Sequence, residues 1–132
     1  MRITLDTNIL ISAFLFPNGQ INKLMRIIAE KYKLILSTFV IEELMGVVER
    51  KFADKTKAVD RFLSKFSYEM VYTPKEMKQN LFQIRDARDY PILYTAILED
   101  VDILITGDKD FFDIEIERPE ILTPAQFLEK YC

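Results

Sequence analysis

The chain of 132 residues has no histidine, no tryptophan, one cysteine, 3 glycines and 5 prolines. Each shortage removes a class of chemistry. Without histidine there is no Ser-His-Asp or Cys-His nucleophile, no imidazole general base and no His-ligated zinc. The lone thiol, Cys132, forbids an intramolecular disulfide and a cysteine-cluster metal site, and it fits a reducing compartment. Sparse Gly and Pro leave no linker, repeat or low-complexity tract, so one domain over residues 1–132 is expected. No stretch approaches the ~20 apolar residues of a membrane span, and Asp6 stands where a signal peptide would continue its apolar run. A cytoplasmic protein with no membrane partner is the expectation.

What is present is apolar and acidic. Hydrophobic residues make up 49% of the chain, enough for a core at a size that buries roughly two-thirds of the unfolded surface. The 21 acids and 18 bases give a net charge of −3, but residues 1–85 carry +5 and residues 86–132 carry −8. Any polyanionic partner would therefore need a local basic surface.

Apolar spacing predicts a strand at Arg2–Leu5 and a buried helix over Asn8–Phe16, broken at Pro17-Asn18-Gly19. An amphipathic helix at Gln20–Lys31 and a strand at Lys33–Ser37 follow. Ser37-Thr38 then offers a cap for a long helix to about Phe52. Further helices are expected at Lys55–Phe66, Pro74–Leu81 and Tyr90–Leu98, with strands at Tyr68–Tyr72, Val101–Thr106 and Glu120–Leu122. Thr123-Pro124-Ala125-Gln126 reads as a capping box opening a last helix. Strands alternating with helices indicate an α/β protein, a three-layer α/β/α sandwich on a mostly parallel sheet. In such folds the site lies beyond the C-terminal ends of the strands.

Acids stand at those ends. Asp6 follows the first strand directly, and Asp108 follows the Val101–Thr106 strand after one glycine. Glu42 and Glu43 open the long helix; on a helical wheel Glu42 faces solvent and Glu43 lies at the rim of the apolar arc. Asp86 and Asp89 precede the Tyr90–Leu98 helix, where Asp89 is placed to cap it. Each of these acids also has an ordinary use as a cap, turn residue or helix-dipole partner. Brought together, however, they would disfavour one another's ionisation unless a cation sat among them. An all-oxygen set suits Mg²⁺ or Mn²⁺, ions associated with phosphoryl chemistry. Such ions lower the pKa of an attacking water and stabilise charge on the leaving oxygen. Thr7, Asn8, Ser37 and Thr106 flank these acids and are candidates to orient them.

Leu5-Asp6-Thr7-Asn8, Glu43-Leu44, Asp89-Tyr90-Pro91-Ile92 and Thr106-Gly107-Asp108-Lys109-Asp110-Phe111, in this order and spacing, resemble the PIN-domain family. Those small metal-dependent ribonucleases include the toxins of type II toxin–antitoxin pairs, and the resemblance covers essentially the whole chain. It implies a Mg²⁺- or Mn²⁺-dependent endoribonuclease with catalytic and metal-binding Asp6, Glu43, Asp89 and Asp108. Asn8, Thr106, Asp86 and Asp110 are accessory. Glu42 remains an alternative to Glu43, and Asp86 to Asp89. Many relatives carry a polar or acidic residue before the proline, where this chain has Tyr90, which leaves accessory ligation open. The resemblance also implies a homodimer and a small antitoxin partner.

For the RNA itself the basic candidates are Lys57, Arg61 and Lys65, on one helical face within a stripe that also holds Lys51 and Lys55, together with Arg85 and Arg88. Two other readings stand beside the ribonuclease. Asp6 is the nucleophile of a haloacid-dehalogenase-like phosphatase in one, although that chemistry usually wants a second acid where Asn8 stands. In the other the acids are only caps and surface charge on a non-catalytic protein-binding module.

Overall fold

The computed structural model describes residues 1–132. Five strands, β1 (Arg2–Leu5), β2 (Lys33–Ser37), β3 (Glu69–Val71), β4 (Ile103–Ile105) and β5 (Glu120–Leu122), form one sheet in the order β3-β2-β1-β4-β5. Every neighbouring pair is parallel, so the sheet is wholly rather than mostly parallel. Six helices connect and cover it: α1 (Thr7–Leu15), α2 (Gln20–Lys31), α3 (Thr38–Lys51), α4 (Ala58–Ser64), α5 (Tyr90–Leu98) and α6 (Pro124–Tyr131). No helix is long and apolar enough to cross a membrane.

The alternation of side chains along a strand splits the core in two. Ile3, Leu5, Leu34, Leu36, Ile103 and Ile105 feed a cluster of 28 buried residues that runs into α1 and α2. Ile35, Val71, Ala96 and Val101 form a smaller cluster on the opposite face, against α5. Both faces are covered, as an all-parallel sheet requires. From Ile92 to Ala96 five consecutive residues of α5 are buried, so this helix packs all round.

Two local expectations are corrected. Pro74–Leu81 is not helical, because tertiary contacts take the donors that a helix there would need. The Lys78 N–H donates to the Tyr94 hydroxyl at 3.2 Å, the Leu81 N–H lies 3.4 Å from the Tyr90 hydroxyl, and Asn80 adopts φ 66°. The Lys55–Phe66 helix is shorter than its apolar pattern: a 3-10 turn occupies Ala53–Lys55 and α4 holds only Ala58–Ser64. The capping box at Thr123 and Gln126 is formed reciprocally.

The strand order makes β1 the point where the chain changes direction. β1, β2 and β3 spread one way across the sheet, then the chain crosses back so that β4 and β5 lie on the other side. A crevice opens at such a switch point, beyond the strand ends. Asp6 and Thr106 leave the paired strands β1 and β4 at this place.

Candidate active site

Asp6 is the best anchored of the acids. Its N–H donates to Ile105 O at 3.0 Å, continuing the β1–β4 ladder by one bond and fixing the backbone. Its carboxylate caps α1, accepting from the Ile9 N–H at 2.9 Å through Oδ1, and accepts the Thr106 hydroxyl through Oδ2. Asp6 is 3% exposed and Thr106 is wholly buried. Burial pushes the Asp6 carboxyl above its ordinary value; the two hydrogen bonds oppose that rise, while the charges of Asp108 and Glu43 add to it.

Thr106 connects two acids. Besides donating to Asp6, its Oγ accepts the Asp108 N–H at 3.0 Å. Asp108 in turn accepts the Asp110 N–H at 2.9 Å and caps the 3-10 turn Lys109–Phe111. Replacing Thr106 by Val keeps the shape and removes both bonds. A loss of about 1–3 kcal/mol is expected, since Asp6 and the Asp108 N–H lose their partner. An unchanged urea midpoint would show that these bonds contribute nothing.

The opposite wall comes from α3 and from the turn before α5. Glu43 is half-buried and accepts the Thr7 hydroxyl, whereas Glu42 is exposed. Asp86 and Asp89 differ more sharply. Asp86 accepts three donors from one residue, the Arg88 N–H at 2.9 Å and the guanidinium at 3.2 and 3.0 Å. These hold its carboxyl below the ordinary range. Asp89 does not cap α5 through its side chain, contrary to expectation, and its Oδ2 is buried without a partner. Burial, the nearby Asp108 charge and a hydrogen bond that the protonated carboxyl shares with Asp108 push it up to about 7. An unpaired buried carboxylate oxygen is costly, and the cost falls if a cation is bound there.

Asp6, Asn8, Glu43, Asp86, Asp89 and Asp108 share one cavity of about 300 Å³. Carboxylate oxygens of Asp89, Asp108 and Asp110 lie within 4.8 Å of one another, close enough to hold one ion between them. Asn8 is exposed at the mouth. Of the basic candidates Arg88 and Lys51 line the cavity; Lys55, Lys57, Arg61, Lys65 and Arg85 do not. Arg61 lies in α4, with Lys57 and Lys65 flanking it, and Val59, Phe62 and Leu63 are the buried face of that helix. Arg50, which the charge pattern alone does not single out, lines the cavity as well. The signal for Arg50 was its register on α3: it follows Glu43 by seven residues, two turns along the same face.

The family model for the PIN domain matches residues 2–110. The chain belongs to the PIN-domain family, whose members are generally nucleases that use divalent metals. An uncharacterised protein of Methanocaldococcus jannaschii is 27% identical over 145 aligned positions, spanning 99% of this chain and 92% of that protein. Among solved structures, the crystal structure of VapBC2 from Rickettsia felis, bound to a DNA fragment from their promoter, shares the fold. It superposes with a TM-score of 0.67 at 22% identity, covering 92% of this chain and 97% of that one.

Proposed function

We propose that the protein is a Mg²⁺- or Mn²⁺-dependent endoribonuclease, residues 1–132 acting as one domain, and the toxin of a toxin–antitoxin pair. The observation that carries the reading is the buried, unpartnered Asp89 Oδ2 in a cavity that also holds Asp6, Glu43 and Asp108, with a carboxylate oxygen of Asp89 within 4.8 Å of one of Asp108. The donor set is all oxygen, which fits a hard divalent ion.

Asp6, Glu43, Asp89 and Asp108 hold the ion, with Asp110 beside them. Asp89 is preferred to Asp86 because Arg88 already engages both oxygens of Asp86. Glu43 is preferred to Glu42 because it lines the carboxylate cavity. When bound, the ion supplies positive charge against the phosphodiester and lowers the pKa of a water. The chain's own residues supply position. Thr106 fixes Asp6 and the Asp108 backbone together, and Thr7 holds Glu43. Asn8, at the mouth, offers an amide N–H to a phosphate oxygen.

The toxin assignment is supported by the family and by the shared fold with a VapBC2 structure. It brings with it a small antitoxin partner, a homodimer and a cytoplasmic location. Incubation of the purified protein with single-stranded RNA tests the enzymatic part. Cleavage is expected with Mn²⁺ and not with chelator, and Asp108→Asn is expected to lose it. Cleavage that persists in chelator overturns the mechanism.

A further inference from the structure

The crevice does not end at its carboxylates. Glu43, Val47 and Arg50 form one ridge of α3, and the same three side chains line a second groove of about 280 Å³ that continues over Phe39, Glu42 and Gly46. Arg50 therefore stands at the junction of the two. Lys51 borders the carboxylate cavity beside it. Arg50 and Lys51 are exposed and form no ion pair, whereas Arg88, on the other wall, is paired with Asp86 at 3.0 Å.

Arg50 lies over Gly46. Glycine weakens a helix interior, and Gly46 has a helical conformation that any residue adopts, with no positive φ. A Cβ built there would stand 3.2 Å from Nη1 of Arg50. Helical side chains lean toward the N-terminus, over the preceding turn. The guanidinium thus lies on the N-terminal side of its own Cα, over the turn that holds Gly46.

We infer that Arg50 and Lys51 hold the backbone phosphates of single-stranded RNA next to the phosphate in the carboxylate cavity, so that the strand runs along α3 through the Phe39–Gly46 groove. This rests on the nuclease reading. A polyanion entering a cavity lined by five carboxylates is repelled, and two unpaired cations at its exit offset that repulsion locally. Arginine adds a planar fork suited to phosphate. The α4 cations Lys57, Arg61 and Lys65 border neither groove and take no part.

Binding of a fluorescein-labelled single-stranded RNA, followed by anisotropy across a salt series in the Asp108→Asn background, tests this without turnover. R50A/K51A is expected to weaken binding at least about tenfold at physiological salt and to reduce the salt slope by roughly 1.4, or 0.7 for each phosphate contact. R50K/K51R should retain most affinity. K57A/R61A/K65A should match the parent. Wild-type affinity and slope in R50A/K51A, or loss appearing instead in the α4 triple variant, overturns the inference. Cleavage assays of the same substitutions in the otherwise wild-type chain separate it from the reading beneath it. A protein that cleaves RNA with Mn²⁺, and whose KM is unmoved by R50A/K51A, keeps the nuclease and loses this track. One that binds through these residues without cleaving keeps the track and loses the nuclease. Absence of RNA binding overturns both.

Discussion

Asp89→Asn is expected to stabilise the metal-free protein at pH 8 and, at the same time, to reduce Mn²⁺-dependent cleavage by at least about 100-fold, the upper end of the cost of losing even an outer partner of a metal site. The two effects have one cause. Asp89 Oδ2 is buried without a hydrogen-bond partner, and burial and the nearby Asp108 charge disfavour the ionised carboxyl in the folded chain. Asparagine keeps the volume and removes the charge. A gain of several degrees is anticipated, since about 1 kcal/mol moves the melting temperature of a domain this size by roughly 3–6 °C. Asp86→Asn supplies the contrast. Its carboxylate is fully engaged by Arg88, so neutralising it should lower stability slightly and leave Mn²⁺ binding in place. If Asp89→Asn melts below the parent in chelator, Asp89 is structural and the metal assignment moves elsewhere.

In the metal-dependent reading, protons and the ion compete for the Asp89 carboxylate, and a second large effect is expected from this. In the folded chain Asp89 holds its proton to about pH 7, against an ordinary value of 3.8. Between those limits the unfolded chain has already released a proton that the native chain keeps. By linkage, metal-free stability declines as pH rises through this window, with a slope of at most about 1.4 kcal/mol per pH unit that solvent at the cavity mouth reduces. Burial of Asp6 pushes in the same direction. Below pH 3.8 both states are protonated and this contribution vanishes.

Mn²⁺ reverses the dependence, because binding requires the deprotonated carboxylate. Its stabilisation grows with occupancy, reaching about 2.7 kcal/mol at 100 times Kd. The rise in melting temperature on adding Mn²⁺ is therefore expected to be several degrees larger at pH 8 than at pH 5.5, and chelator should abolish it. Equal shifts at the two pH values would separate the ion from Asp89. No shift at either would leave the acids as caps and surface charge.

Much of this architecture is written locally. The run Arg2–Leu5 followed by an acid, the Lys33–Ser37 strand with its serine cap, and Thr123 to Gln126 each specify their own conformation, and their alternation specifies a covered parallel sheet. The strand-end rule then places Asp6 and Asp108 in one crevice. Spacing alone leaves Asp86 and Asp89 undistinguished. Arg88, two residues after the first and one before the second, separates them by engaging Asp86. Pro74–Leu81 misleads because its pattern is local while its partners, Tyr90 and Tyr94, are not. Charge density does not single out Arg50, since its significance is its register with Glu43 on α3, which brings it to both the cavity and the adjoining groove.

The strand order also has a consequence for timing. Asp6 and its partner Thr106 are 100 residues apart, joined only when β4 docks beside β1. A ribosome-bound chain that has not yet emitted residues beyond 85 carries Asp6 and Glu43 but neither Asp89 nor Asp108. Contacts of such long sequence separation close late in folding. In the nuclease reading, an unfinished or truncated chain is harmless to the RNA around it, and activity begins only after the last third of the protein has been made and folded onto the first strand.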